Sequence, residues 1–341
     1  MKEKGAGKKV SHVGIDIGTR FIKAAEISHD GNKNYELTGL YRFENPTRST
    51  KEVSREPLKK LLDKLSPESR DSAISLSAPN ALVRYITLPR MDEKELKKSL
   101  QFEAEKYIPY NINEVVIDCS ILGQSHEDKN QLSVILAAAK KDIVYSRVEA
   151  LKELGFSVNA IDIDAFSYFN AFRNSAKSTD EAKSIALLNF GYSQTNVIIS
   201  KGAEPCFTRD IQSGTRDMVK LISQRMGLEE KEAEKAVLDP PENPADAAEL
   251  SKSVLRELAE ELRLSFGYYE NQYGRAIDEI YVSGGASFLK GTDVFLEESF
   301  GIKPVKWNPF LNFKIGEKVD KGLVENEYGQ FAVSAGLAMR V

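Results

Sequence analysis

The sequence predicts an α/β protein of two related lobes that face a cleft, with a smaller subdomain inserted between them. Three observations carry this. The segments starting at His12 and Ser184 open alike, each with an apolar strand, a short turn of glycine and hydroxyl residues, and a second strand, and a repeat at a spacing of about 175 residues marks two related units. Between them, residues 82–163 alternate strand, helix, strand, strand, helix, strand, an order that makes a compact unit of its own. Near the C-terminus a buried-type strand runs into Ser283-Gly284-Gly285-Ala286 and then a helix.

Taken in order, the first lobe reads as strands at 12–17, 21–28 and 34–43, a helix at 56–65 and a strand at 72–77. The inserted block has a strand ending at Leu88, a helix at 92–107, strands at 114–122 and 131–137, a helix at 140–154 and a strand at 157–163. Its first helix has a physical start, because Asp92 accepts from first-turn amides while Glu95 completes a capping box. Pro109 stops it. Leu96, Leu100, Ala104 and Tyr107 form one apolar stripe that packs on the neighbouring sheet.

A helix at 165–175 and a polar linker at 176–183 lead into the second lobe, with strands at 184–190, 196–200 and 204–210 and a helix from Gly214. The charged stretch 228–274 keeps helical spacing, and Pro240, Pro241 and Pro244 divide it into at least two helices. A strand at 279–283 and helices at 288–300 and 327–339 complete the chain.

The chain's 341 residues suffice for two domains with substantial cores, and 41% hydrophobic with 29% charged residues is ordinary for a globular protein. Its 51 acidic and 47 basic residues leave a net charge of -4, so charge supplies no reason to expect nucleic-acid binding. Lys2, Lys4, Lys8 and Lys9 read as a solvated tail. Cys119 and Cys206 stand apart, without the companions of a disulfide framework or a zinc site. No apolar run reaches the roughly 18 residues of a membrane span, and the N-terminus lacks a secretory signal's apolar segment. A cytoplasmic protein is expected.

The glycine turns carry the chemistry. Gly14 to Lys23 offers backbone amides in a tight turn at Gly18, the Thr19 hydroxyl and the Arg20 and Lys23 cations, all of which suit phosphate oxygens. Asp16 at the strand end suits a magnesium-bound water, since magnesium keeps several waters and few carboxylate ligands. Taken alone, this pattern also occurs in ordinary hairpins. Asn189, Gly191, Tyr192, Ser193 and Thr195 repeat the logic in the other lobe. At Gly284, Gly285 and Ala286 the backbone comes close enough for a base or ribose, and a plain strand-to-helix turn is the alternative. Asp162 and Asp164 could add carboxylates near a metal, or cap the next helix.

This order and spacing resembles the actin-like ATPase superfamily. Asp16 and Lys23 are similar to its first phosphate motif, Asn189 to Thr195 to its second, and Ser283 to Ala286 to its adenosine motif. Glu234 is similar in placement to the acidic residue on the ribose, while Val237 stands where a lysine commonly accompanies it. Within the superfamily, the chain resembles the PilM family through Leu88-Pro89-Arg90-Met91, the segment from Glu103 to Tyr110, Val116-Ile117-Asp118 and the ending from Phe331 to Arg340.

The resemblance implies a two-lobed actin-like ATPase fold with ribonuclease H-like sheets and an FtsA- and PilM-type inserted subdomain. Residues 10–81 and 165–183 would form subdomain 1A, 82–164 the inserted 1C, 184–227 and 276–326 subdomain 2A, and 228–275 the helical 2B, with 327–341 returning to 1A. It implies ATP and magnesium ion as cofactors. Its partner would be the N-terminal cytoplasmic peptide of PilN, which would recruit the chain to the cytoplasmic face of the inner membrane without an anchor of its own. Self-association is left open.

One departure bears on activity. Active members begin the second phosphate turn with Asp, and Asn189 adds no negative charge for the ion, so ATP binding with weak or absent hydrolysis is expected. Two other functions share the fold. A small-molecule kinase needs a base for a substrate hydroxyl, which no segment singles out. An FtsA-like filament protein calls for a terminal amphipathic anchor, and the chain reaches Val341 directly after its last helix.

Overall fold

The computed structural model describes residues 10–30, 34–66, 69–125, 128–175, 180, 182–238 and 245–340. The N-terminal lysines, the Pro240, Pro241 and Pro244 cluster, most of the 176–183 linker and Val341 lie outside these residues.

Lobe I begins with β1 (Val10–Ile17), β2 (Phe21–His29), β3 (Tyr35–Glu44), α1 (Arg55–Lys64) and β4 (Asp71–Leu76). The inserted block follows as β5 (Ala81–Pro89), α2 (Glu93–Ala104), β6 (Val115–Gln124), β7 (Gln131–Lys140), α3 (Lys141–Glu153) and β8 (Ser157–Ile163), and α4 (Asp164–Ser175) leads out of it. Lobe II opens with β9 (Ser184–Phe190), β10 (Thr195–Lys201), β11 (Glu204–Ile211) and α5 (Thr215–Met226). The helical region is α6 (Glu230–Leu238) and α7 (Ala245–Tyr273). The chain closes with β12 (Glu279–Ser283), α8 (Thr292–Phe300), β13 (Val305–Lys306), β14 (Lys314–Ile315), α9 (Lys321–Asn326) and α10 (Ala332–Ala338).

The two large sheets share one topology. In lobe I an antiparallel meander of β3, β2 and β1 continues in parallel through β4 and β8. In lobe II the meander of β11, β10 and β9 continues in parallel through β12 and β13. Alternation along a strand sends successive side chains to opposite faces. On β1 this points Val13, Ile15 and Ile17 at Leu58 and Leu61 of α1. The other face of lobe I meets α4 and α10, which also pack against Ile185, Leu187 and Ile198 of lobe II, so these two helices are the layer between the sheets. The two helices cross so closely that a Cβ on Gly336 would fall 1.7 Å from the Ser167 carbonyl oxygen. Any other residue there forces them apart, which gives the small-residue ending of the sequence a packing reason.

The outer face of lobe II carries α5 to α8. The stripe Val254, Leu258, Leu262, Phe266 and Tyr269 on α7 joins Ile222 and Leu296 in one apolar cluster.

The inserted block differs in one respect from the unit its element order suggests. The order strand, helix, strand, strand, helix, strand is present, but among the described residues the small sheet holds only β5, β7 and β6, with α2 on its face. Its helix starts as expected, Asp92 accepting from the Glu95 amide at 2.8 Å and the Glu95 carboxylate from the Asp92 amide at 3.1 Å. β8 instead pairs with β4, from Asp71 opposite Ser157 to Leu76 opposite Ile163, and α3 buries Leu151 in the lobe I core. An open β4 edge is the better place for an apolar strand, because pairing there satisfies a row of backbone groups that would otherwise be left unpaired. The final helix is likewise shorter than expected, with a 3-10 turn at Tyr328–Phe331 before α10. The short β13, β14 and α9 have too few residues to show periodicity and were not expected.

Candidate nucleotide-binding cleft

Two matching hairpins meet between the lobes. β1 and β2 end with Ile17 opposite Ile22, and the Gly18 amide donates to the Phe21 carbonyl at 3.0 Å. β9 and β10 end with Phe190 opposite Thr195, and the Gly191 amide donates to the Gln194 carbonyl at 2.9 Å. The tips touch across the cleft, where the hydroxyls of Thr19 and Ser193 share a hydrogen bond. Beside them Arg20 reaches Glu234 on α6 with two hydrogen bonds, 2.6 Å from Nε and 2.9 Å from its terminal nitrogen. This forked geometry is the strong form of a guanidinium–carboxylate pair.

Behind the tips the hairpins differ in charge. In the first, Asp16 lies across the ladder from Lys23, with 2.6 Å between carboxylate and ammonium. At the same positions of the second, the Asn189 amide donates to Asn196 at 2.8 Å. Asn196 in turn donates to Asp210 at 2.7 Å, and Asp210 accepts from the Ala78 backbone amide at 2.9 Å, which ties lobe II to the loop after β4.

The third wall is the turn after β12. Gly284 has φ 86°, a left-handed conformation, and a Cβ there would lie 2.2 Å from the Phe190 carbonyl oxygen. Only glycine lets this turn lie against the second hairpin. The fourth wall is the junction of β8 and α4, where Asp164 faces the cleft with Thr50 and Ser77. Burial pushes the Asp164 carboxyl up to about 6, the negative charge of Asp16 adds to this, and the nearby Ser75 and Ser77 hydroxyls oppose it.

All the residues singled out from the sequence line this cleft except Thr195, Ala286 and Asp162. Thr195 points inward and donates to the Ser213 carbonyl at 2.8 Å, holding the loop before α5. Ala286 is buried in a 3-10 turn, its carbonyl accepting from Thr292. Asp162 pairs with Arg340 at a separate groove. Sequence reasoning missed Thr50, Ser77, Asn196, Thr215 and Gln330. Of these only Asn196 carried a signal, the same seven-residue offset from Asn189 that links Asp16 to Lys23.

Backbone turns, hydroxyls and the two cations of the first hairpin suit a phosphate chain, and the glycines after β12 suit a flat or sugar group. Among the described residues no group of three or more His, Cys, Asp or Glu could hold a metal ion directly. The donors present, Asp16 and Asp164 with the Asn189 amide, fit a magnesium ion held through its waters and through phosphate oxygens.

The second groove lies between β6 and the β8–α4 corner. Leu76, Val116, Val144, Ile161, Ile163 and Phe166 line it, and Asp118, Arg173 and the Asp162–Arg340 pair stand among them. Among the described residues, β6 pairs only with β7 and β8 only with β4, so each presents an open strand edge there.

Residues 14–341 match the family model described as type IV pilus assembly protein PilM. The chain belongs to the PilM family. A solved PilM–PilN type IV pilus biogenesis complex is 25% identical, with 97% of this chain and 98% of that chain covered and a TM-score of 0.86. The ethanolamine utilization protein EutJ from Carboxydothermus hydrogenoformans is 11% identical over 97% of this chain and 89% of its own, with a TM-score of 0.53, a likeness of fold alone. The fold of this PilM family member is that of the actin-like ATPases. No helix among its described residues is long and apolar enough to cross a membrane.

Proposed function

We propose that this type IV pilus assembly protein is a nucleotide-bound scaffold of the inner-membrane assembly platform: it binds ATP between its lobes, turns it over slowly, and holds the N-terminal cytoplasmic peptide of PilN. Its likeness, over nearly the full length of both chains, to the PilM of a PilM–PilN complex carries the partner reading. The groove between β6 and β8 supplies its chemistry. An extended peptide gains affinity by pairing its backbone with an open strand edge and specificity by seating alternate side chains in apolar pockets. Recruitment to the cytoplasmic face of the inner membrane follows from that contact.

Nucleotide binding rests on the convergence of Lys23, Arg20, Gly191 and Gly284 in one cleft. For the ribose to reach Glu234, the Arg20–Glu234 pair must open, which frees the guanidinium to face phosphate. A bound magnesium ion would neutralise phosphate charge, with Asp16 and Asp164 holding its waters. Slow turnover follows from Asn189. Phosphoryl transfer depends on positioning and charge, and here a neutral amide, itself engaged with Asn196, replaces a carboxylate.

The test is to purify the full chain, identify the co-purified nucleotide by mass spectrometry, and titrate a PilN N-terminal peptide by calorimetry. Val116→Lys on the groove-lining β6 should abolish the peptide signal and leave nucleotide in place. Undiminished peptide binding by that variant would move the partner site elsewhere.

A further inference from the structure

The cleft and the groove lie back to back: two junctions supply residues to both, and a third element, α3, lines the groove and is bonded to the cleft wall. At the end of β4, Leu76 lines the groove and Ser77 the cleft. At the β8–α4 corner Ile163 lines the groove and Asp164 the cleft. On α3, Val144 lines the groove, and one turn later Arg147 reaches toward the cleft. The wall between the two sites is thus about one side chain thick.

Arg147 is the unusual part of this wall. It is 2% exposed, and guanidinium groups are seldom buried so completely. One terminal nitrogen donates to the Ser75 carbonyl at 2.5 Å and the other to the Thr50 carbonyl, so a single side chain ties strand β4 to the Thr50 loop that faces the cleft. Its Nε has no hydrogen-bond partner among the described residues. Burial pulls its pKa down, and the negative charges of Asp164 and Asp16 oppose this. A buried cation with incomplete hydrogen bonding has a place only if something offsets its desolvation, and the two cleft carboxylates are the charges that do. Any ligand that moves charge near Asp16 and Asp164 therefore acts on Arg147, and any ligand that shifts α3 moves the same guanidinium.

We propose that nucleotide and partner peptide bind cooperatively through this shared wall, with Arg147 as the positioning residue that transmits the effect. The inference rests on the reading of the groove as the PilN site. Nucleotide fixes the Thr50, Ser77 and Asp164 wall, α3 and the β8 edge are held with it, and the groove is ordered before the peptide arrives. Positive coupling follows, because the second ligand meets a lower ordering cost. It is reciprocal by necessity.

The experiment is calorimetric titration of the full chain with a PilN N-terminal peptide, with and without a saturating non-hydrolysable ATP analogue and magnesium. The peptide should bind about five-fold more tightly or better with nucleotide, and the analogue should gain the same factor from peptide. In Arg147→Met both ligands should still bind while that factor falls to about one, and Arg147→Lys should keep part of it. A merely structural role would weaken one or both ligands and leave the factor unchanged, which would overturn the assignment. Should Arg147→Met not fold, hydrogen exchange of the native chain decides: peptide should slow exchange around Thr50, which lines the cleft and not the groove, and no change there overturns the coupling. Equal peptide affinity with and without nucleotide sinks the cooperativity alone. No peptide binding under either condition sinks the partner reading and the inference with it.

Discussion

The first and second hairpins have the same backbone and different charge. Each turns through a glycine amide bonded to a carbonyl three residues on, and each places a side-chain pair across the ladder two positions before and five after that glycine. In lobe I the pair is Asp16 with Lys23, and in lobe II it is Asn189 with Asn196. The backbone amides and hydroxyls suited to phosphate are duplicated, whereas the charges that would activate it stand on one side only. On the proposed reading, holding a nucleotide and consuming one are separable, since binding needs donors at many points but turnover needs charge at one.

Lys23→Met removes one of the two cations of the first hairpin and the ion-pair partner of Asp16. Nucleotide affinity, followed with a fluorescent ATP analogue, should fall about 100-fold, or about 3 kcal/mol. A loss below about threefold would place the phosphates elsewhere. Asn189→Asp makes the second hairpin resemble the first, and phosphate release in single-turnover assays should rise about tenfold. Rapid release by the native chain would defeat the slow-turnover reading outright.

Asp164 gives a pH-dependent check. It keeps its proton to about pH 6 in the fold, against an ordinary value of 3.8, so between these values the folded state binds more protons than the unfolded one. Its contribution to stability is accordingly lost as pH rises through that window and is constant above it. Asp164→Asn should stabilise the protein by about 1 to 2 kcal/mol at pH 8 and by nothing at pH 4, read as melting temperature. A difference independent of pH would mean that the carboxyl is not desolvated. Ser193→Ala removes one neutral hydroxyl from the contact between the tips and should speed nucleotide release by about fivefold at most, the worth of about 1 kcal/mol. A larger effect would show that this contact, not Arg20 and Glu234, holds the cleft shut.

Much of this was legible in the sequence because it is local. A hairpin turn, a capping box and a glycine before a helix are set by residues within a few positions of one another, so Gly18, Gly191, Gly284 and Asp92 declared themselves. Asn196 was legible in principle, through its offset from Asn189. Thr50 and Ser77, in loops, and Gln330, in a 3-10 turn, were not, since none carries a motif and each enters the cleft only because distant elements bring it there. The groove was equally silent: its walls come from β4, β6, α3, β8 and α4, and only their packing makes a concavity.

The sequence by itself determined two duplicated lobes, three glycine turns, an inserted block and the neutral residue at 189, because periodicity and turn chemistry act over short spans. Tertiary structure alone decided that β8 leaves the small sheet for the edge of β4, that Arg20 spans the cleft to Glu234, and that Asp162 and Asp164 face different sites. That last separation shows the physical reason. Two residues apart in a strand share a face, but the strand ends at Ile163 and a helix begins at Asp164, so the second side chain is turned away by a change of backbone that pairing with β4 imposes.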